Sequence, residues 1–130
     1  MSGKLMSHPV HLGLGAKAIA QPEFTGMSWY EDYVARTAAD GMDGRLVSMH
    51  HFTKSWDSWE MHPAGDEVVI CIEGEMALIQ EHDDGTSTRH TIRSGDYAIN
   101  PPGCWHTADV ESEATAIFIT CGAGTQHRPR

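Results

Sequence analysis

The sequence has few cysteines, and no two of them lie close together in the chain. Cys71, Cys104 and Cys121 are the only cysteines among the 130 residues, and no CxxC motif occurs. An odd number of widely spaced cysteines argues against a disulfide framework and favours a reducing compartment. We therefore expect a cytoplasmic protein whose cysteines are small, buried apolar side chains and not nucleophiles.

Long apolar segments and positive charge are also scarce. No segment approaches the roughly 20 consecutive apolar residues that a membrane helix needs, and residues 1–20 lack the pattern of a signal peptide. The net charge is −9, and lysine and arginine form no cluster. This balance argues against nucleic acid or an anionic membrane as a partner.

What the sequence does contain is glycine, proline and short stretches that alternate with a period of two. Thirteen glycines and six prolines favour short strands joined by tight turns, and the length suits one domain. The fold class that we predict is all-β, a sandwich or closed barrel of about eight strands. The strands are expected near residues 46–52, 59–62, 67–73, 76–82, 86–93, 97–100, 105–110 and 115–121.

Residues 28–39 are predicted to form the one helix of the chain. Ser28 and Glu31 have the spacing of a capping box, and apolar residues then recur at helical spacing. The glycine turn at residues 40–41 is expected to end the helix. We expect this helix to be a lid or to pack on the side of the barrel.

Before the helix, Val10, Leu12 and Leu14 alternate, which is compatible with a short strand. Such an arm can pack on a partner subunit or remain a loosely attached tail, and the sequence leaves both open. The predicted organisation is an N-terminal arm with the helix (residues 1–44), a barrel (45–121) and a C-terminal tail (122–130).

Two segments carry residues that can bind a metal. Glu60 and His62 lie two apart on a predicted strand and therefore point to the same side. The turn that follows brings Glu67 beside His62. His106 follows the rigid Pro-Pro-Gly turn at 101–103 after two further residues, and the turn fixes the backbone before it. These four residues are the predicted metal ligands.

The first of these segments resembles the first motif of the cupin superfamily, a group of small jelly-roll barrels. In that motif a Gly is followed by five residues, His-x-His, three or four residues, Glu, six residues and Gly. This chain has Glu60-x-His62, four residues, Glu67, six residues and Gly74. It departs from the motif at Lys54, which takes the place of the opening Gly, and at Glu60, which takes the place of the first His.

The second segment resembles the second cupin motif, which is Gly, five residues, Pro-x-Gly, two residues, His, three residues and Asn. Here Gly95 is followed by five residues, Pro101-x-Gly103, two residues and His106. Val110 takes the place of the closing Asn. With both motifs matched at their internal spacing, the chain resembles a small single-domain cupin over about residues 45–121.

The resemblance implies a double-stranded β-helix (jelly-roll) barrel and a divalent metal ion such as Fe, Mn, Zn or Ni. The family's usual ligand set of three His and one Glu becomes two of each here, because Glu60 replaces a histidine. A carboxylate hardens the site without choosing among these metals. An empty barrel with Glu60 and His62 as an ion pair is the alternative, although two buried carboxylates without a cation are costly.

For function, the resemblance implies a metal-dependent enzyme on a small organic molecule, of the oxygenase, isomerase, lyase or decarboxylase type. Glu60 or Glu67 could also act as a base. The alternative is a non-catalytic barrel that binds a small-molecule ligand, since one fold hosts many functions. A homodimer is expected, because an unpaired edge strand or the N-terminal arm needs a cover.

Other residues near the predicted barrel could line a pocket. Of the adjacent His50 and His51, one must face inwards, whereas His82 and His90 are expected at the surface. The aromatic residues of this region suit either core packing or a pocket for a planar or apolar molecule. These residues, with two polar side chains that could join them, are Trp56, Trp59, Trp105, Gln80 and Tyr97.

Overall fold

The computed structural model describes all 130 residues and confirms the predicted all-β jelly-roll with one short α-helix. Two 3-10 helices, Leu14–Ala16 and Ala38–Asp43, complete the elements. The helix and strands are β1 Val10–Gly13, β2 Lys17–Ala20, α1 Ser28–Arg36, β3 Arg45–Phe52, β4 Ser58–Met61, β5 Glu67–Glu81, β6 Ser87–Arg93, β7 Tyr97–Asn100, β8 His106–Asp109, β9 Ala114–Thr120 and β10 Gln126–Pro129. No helix is both long and apolar enough to cross a membrane.

The long strand β5 belongs to both faces of the barrel. Its first half pairs with β7 and β9, and through β9 this sheet continues to β3, β1 and β2. Its second half pairs with β6 and β8, and β8 continues to β4 and β10. The two strands predicted at 67–73 and 76–82 are therefore one strand that changes sheet.

Gly74 is the residue at which β5 changes sheet. Its φ is +76°, and a Cβ there would lie 2.1 Å from the carbonyl oxygen of Glu113. The register with β9 shifts between Cys71 and Glu73 just before it. Only glycine combines this backbone conformation with so close a neighbouring chain.

The apolar core fills the space between the two sheets. Burying these side chains is the main favourable contribution to folding, because each methylene removed from water contributes about 0.8 kcal/mol. Cys71 is part of this core, as expected, and Cys121 is also buried, while Cys104 is half-buried. The buried core residues are Val69, Cys71, Met76, Leu78, Ile92, Ala98, Ala108, Val110, Ala114, Ala116 and Phe118.

Helix α1 packs against β3 through a second, smaller cluster of Trp29, Tyr33 and Leu46. The helix is shorter than the predicted range 28–39, because it ends at Arg36 and a 3-10 segment follows. The predicted capping box is also wrong: Ser28 is already the first helical residue, and no side-chain hydrogen bond caps the helix.

The two ends of the chain extend the two sheets. Strand β1 adds the N-terminal arm to β3, and β2 is then the last strand of that sheet. The C-terminal residues expected as a tail contain β10, which pairs with β4 and places His127 opposite Glu60. Sequence analysis did not anticipate this strand.

Candidate metal centre

The structure brings the four predicted ligand residues together. Glu60 lies near the end of β4, His62 follows that strand, Glu67 begins β5, and His106 begins β8. The strand register accounts for much of this arrangement, because Glu60 lies opposite His106 across the β4–β8 pair. One ligand atom from each residue lies within 4.8 Å of the others.

The distances between these atoms suit donors arranged around one ion. His62 Nε2 lies 3.1 Å from Glu67 Oε2 and 3.5 Å from Glu60 Oε2. His106 Nε2 lies 3.2 Å from Glu67 Oε1 and 3.9 Å from Glu60 Oε2. Two donors each about 2.1 Å from a common ion are separated by roughly 3.0 to 3.4 Å, depending on the angle between them.

Both histidine Nε2 atoms are buried and make no hydrogen bond. The carboxylate oxygens are near, but they do not lie along hydrogen-bonding directions of the ring nitrogens. The contacts are therefore charge contacts. Buried polar atoms without partners are rare in folded proteins. Two of them beside the same pair of carboxylates are what a bound cation would satisfy, so His62 and His106 fit a metal site.

The other ring nitrogen of each histidine is fixed by a neighbour. His106 Nδ1 lies 3.0 Å from the carbonyl oxygen of Cys104, which can only accept a hydrogen bond. His62 Nδ1 lies 2.8 Å from the Thr125 hydroxyl. Because that hydroxyl donates its own hydrogen to the carbonyl of Gly122, it accepts from His62. Both Nδ1 atoms carry hydrogen, which leaves Nε2 as the ligand atom.

Glu67 is held from two sides by side chains outside the ligand set. Asn100 Nδ2 donates to Glu67 Oε1 at 3.0 Å, and the Thr120 hydroxyl donates to Oε2 at 2.6 Å. Gln80 in turn donates to Asn100 Oδ1 at 2.8 Å. Gln80 is thus a buried support of the candidate centre. Tyr97, the other polar residue suggested for the pocket, is 66% exposed and lies outside it.

Glu60 has an additional neighbour that the sequence did not reveal, because His127 Nε2 lies 3.5 Å from Glu60 Oε1. No local signal could have shown the position of His127. Only the pairing of β10 with β4, which joins residues far apart in the chain, brings it there.

The charged groups of the cluster stabilise one another's ionised forms. Burial opposes ionisation of Glu60, but the contacts with His127 and His62 outweigh it and lower its pKa to about 2. Burial also opposes protonation of His62, but Glu60 and Glu67 raise its pKa to about 9. The pKa of Glu67 is lowered as well, because its contacts with His106 and His62 outweigh its burial. Both carboxylates are therefore ionised at neutral pH.

The four other histidines of the barrel region lie as expected. His50 faces the barrel interior, where its ring packs against Phe118. His51 faces outwards and bonds to Thr115. His82 and His90 are exposed at the β5–β6 hairpin.

The comparison with protein families agrees with this architecture. The profile of the Cupin domain family matches residues 50–122, which is more than half of the chain. The protein belongs to the cupin family. No curated protein gives a significant match to the sequence.

Solved structures of cupin proteins are similar to the chain. A Neisseria meningitidis protein shares 27% identity over 58% of this chain and 71% of its own, with a TM-score of 0.48. Oxalate oxidase in complex with the substrate analogue glycolate has a TM-score of 0.59 at 15% identity, covering 96% of this chain and 56% of its own. The Bacillus subtilis oxalate decarboxylase, described with Mn(II) centres, has a TM-score of 0.55 at 12% identity, covering 74% of this chain and 26% of its own. The last two likenesses show the shared fold.

Proposed function

We propose that the protein is a divalent-metal-dependent cupin enzyme that acts on a small organic molecule. The observation that carries the proposal is the pair of buried, unpartnered Nε2 atoms of His62 and His106, which face the carboxylates of Glu60 and Glu67. A cation held there would supply Lewis acidity, which polarises a bound carbonyl or carboxylate.

The residues of this chain would set the properties of that ion. His62 and His106 would bind through Nε2, and Glu60 and Glu67 through carboxylate oxygens. Two oxygen and two nitrogen donors suit Mn(II), Fe(II), Zn(II) or Ni(II). The oxalate oxidase and decarboxylase of similar fold support a metal-dependent oxygenase, isomerase, lyase or decarboxylase as the type of reaction.

A second candidate is a non-catalytic cupin that holds a small ligand through the metal. The observation that favours it is the narrow access to the site. His62, Glu67 and His106 are almost fully buried, whereas the side chain of Glu60 is 28% exposed. A reaction with turnover needs an exit for product, and a storage or sensing role does not.

We also propose a cytoplasmic homodimer. The free cysteines support a reducing compartment. The fully exposed edge strand β2 supports a second copy as its cover.

The test of the metal site is the metal content of untagged protein. We expect about one equivalent of divalent metal per chain, and its loss in Glu60→Ala and His106→Ala. Glu73→Ala and His82→Ala change exposed residues of the same types and are matched controls that should keep the metal. Full metal retention in Glu60→Ala and His106→Ala would contradict the site.

A second measurement separates the kinds of function. Oxygen consumption by the metal-loaded protein across a panel of small organic acids would identify an oxygenase. Conversion without oxygen uptake would indicate an isomerase, lyase or decarboxylase. Binding without conversion of any compound would favour the non-catalytic candidate.

A further inference from the structure

Trp56 contains a third buried polar atom without a partner, its indole Nε1–H. The ring packs against Phe52, Phe118 and the metal-side histidine His106, whose ring centroid is 6.4 Å away. The backbone of Trp56 is fixed, because its N–H donates to the carbonyl of Ala108 at 2.9 Å. A fixed, buried donor next to the candidate metal centre is available for an oxygen atom of a ligand.

Tyr30 provides a second polar group facing the same region. It projects from α1, and its hydroxyl lies 3.5 Å from His50 Nε2. Burial, together with the nearby charges of Glu60 and Glu67, raises the pKa of Tyr30 to about 12. The hydroxyl is therefore protonated at neutral pH and can donate. Burial lowers the pKa of His50, which favours a neutral ring beside it.

A continuous aromatic wall connects these two donors. The ring of His50 lies 5.8 Å from that of Phe118, and the ring of Phe118 lies 6.1 Å from that of Trp56. Tyr30 is therefore joined through packed rings to Trp56 and then to His106. Helix α1 and the candidate metal centre face the same interior, and the wall between them is apolar apart from the donors and His50.

The charge of the ligand set restricts what can bind there. The carboxylates of Glu60 and Glu67 together balance the charge of a divalent ion, so the loaded site is neutral. A set with one glutamate would leave a net charge of +1. A dianion would bring two uncompensated charges to this neutral site, whereas a monoanion brings one, which charge-assisted hydrogen bonds from the donors can partly compensate.

We propose that the interior between the candidate metal centre and α1 binds a small, singly charged carbonyl acid, with Trp56 Nε1–H and the Tyr30 hydroxyl as donors to its oxygens. The inference rests on the proposed function for the presence of the metal. The acid is small because three residues of the candidate centre, His62, Glu67 and His106, are almost fully buried and leave only narrow access to it. Trp56 and Tyr30 set its orientation and the class of compound.

The test is calorimetric titration of the zinc-loaded protein with pyruvate and with malonate, which have three carbons and one or two negative charges. Zinc content is measured before and after each titration. We expect pyruvate to bind more tightly than malonate. Tyr30→Phe keeps the ring and Trp56→Phe keeps a smaller aromatic ring, but both remove the donors, and each should weaken pyruvate binding about tenfold without loss of zinc.

Tyr97→Phe makes the same change as Tyr30→Phe outside the interior and should leave pyruvate binding unchanged, because Tyr97 is exposed. Unchanged pyruvate binding in folded Trp56→Phe and Tyr30→Phe would overturn the proposal, as would equal binding of malonate. If Trp56→Phe fails to fold, Tyr30→Phe decides. A wild-type protein that takes up no zinc would refute the proposed function itself.

Discussion

At the scale of single residues, Asn100 orients the carboxylate of Glu67. It is the sole asparagine of the chain, it is buried, and it connects Gln80 to the carboxylate of Glu67. A side chain that hydrogen-bonds a ligand residue orients it before the metal binds, so binding costs less conformational entropy. The site therefore depends on residues that no ligand motif contains.

We predict that Asn100→Ala lowers zinc affinity by roughly 10- to 100-fold, as is usual when a ligand loses its orienting partner. Titration of metal-free protein with zinc against a competing chelator measures this change. The four ligand side chains remain, so binding is weakened and not abolished. An affinity equal to that of the wild type would show that Thr120 alone orients Glu67.

The clustering of the four candidate ligand residues could be predicted, and the residues that support them could not. Glu60, His62, Glu67 and His106 follow from alternation on a strand and from two turns, all of which are local features of the sequence. Thr125 and His127 reach the site only through the pairing of β10 with β4. Long-range strand pairing of a short segment rich in polar residues leaves no local pattern to read.

At the scale of elements, the C-terminal segment completes the candidate centre from outside the two motifs. Thr125 bonds to His62, and His127 contacts Glu60. The strand is held in turn by Arg128, whose guanidinium lies over the rings of Trp59 and Trp105. The segment is therefore both a part of the sheet and a clamp on two ligands.

We predict that Thr125→Val lowers zinc affinity about tenfold, because Val cannot accept the Nδ1 hydrogen of His62. Thr88→Val is the matched control, since the Thr88 hydroxyl pairs with the exposed His82 in the same way. Chelator competition should show normal affinity in the control. Equal losses in both variants would assign the effect to general destabilisation.

Asp109 makes a pH-dependent connection between three strands. Hydrogen bonds from Arg89 on β6, and then from Arg130 after β10, lower the pKa of this carboxyl in the folded protein. A lowered folded-state pKa means that ionisation stabilises the fold above the ordinary carboxyl pKa of about 3.9, and that this stability is lost as the pH falls through the folded-state value.

We predict that Asp109→Asn destabilises the protein at pH 6 and that its difference from the wild type shrinks below about pH 4. Urea unfolding of both proteins across this range gives the free energies of unfolding. Because these groups are partly exposed, the effect is small and weakens with added salt. A difference that is constant with pH would contradict the assignment.

Helix α1 shows the limit of reading an element from its sequence. Its position was predicted correctly, but Ser28 joined the helix and did not cap it. Local spacing cannot tell a capping residue from a first-turn residue when the backbone before it, here Met27, is itself helical. The packing of Trp29 and Tyr33 on Leu46 is what fixes the helix.

At the scale of the whole molecule, the first sheet ends in an exposed edge at β2. Its four residues are all exposed, and Leu12, Leu14 and Ile19 leave apolar surface nearby. An open strand edge of this composition pairs readily with another chain. The fold thus has one surface on which a second copy would be accommodated.

We predict that the protein is a dimer in light-scattering measurements and that Ile19→Lys shifts it to a monomer, because lysine on an edge strand opposes pairing. Lys54→Glu changes an exposed charge elsewhere and is the control. A wild-type monomer at all concentrations would refute the dimer.

The passage of β5 through both sheets has a consequence for how the protein opens. Detaching either sheet breaks hydrogen bonds of this one strand, because its backbone is paired on both sides of Gly74. Amide hydrogens in the middle of β5 should therefore be among the slowest in the protein to exchange with solvent. Glu67 begins this strand, so its carboxylate stays beside the other three candidate ligand residues as long as β5 keeps its pairing with β7 and β9.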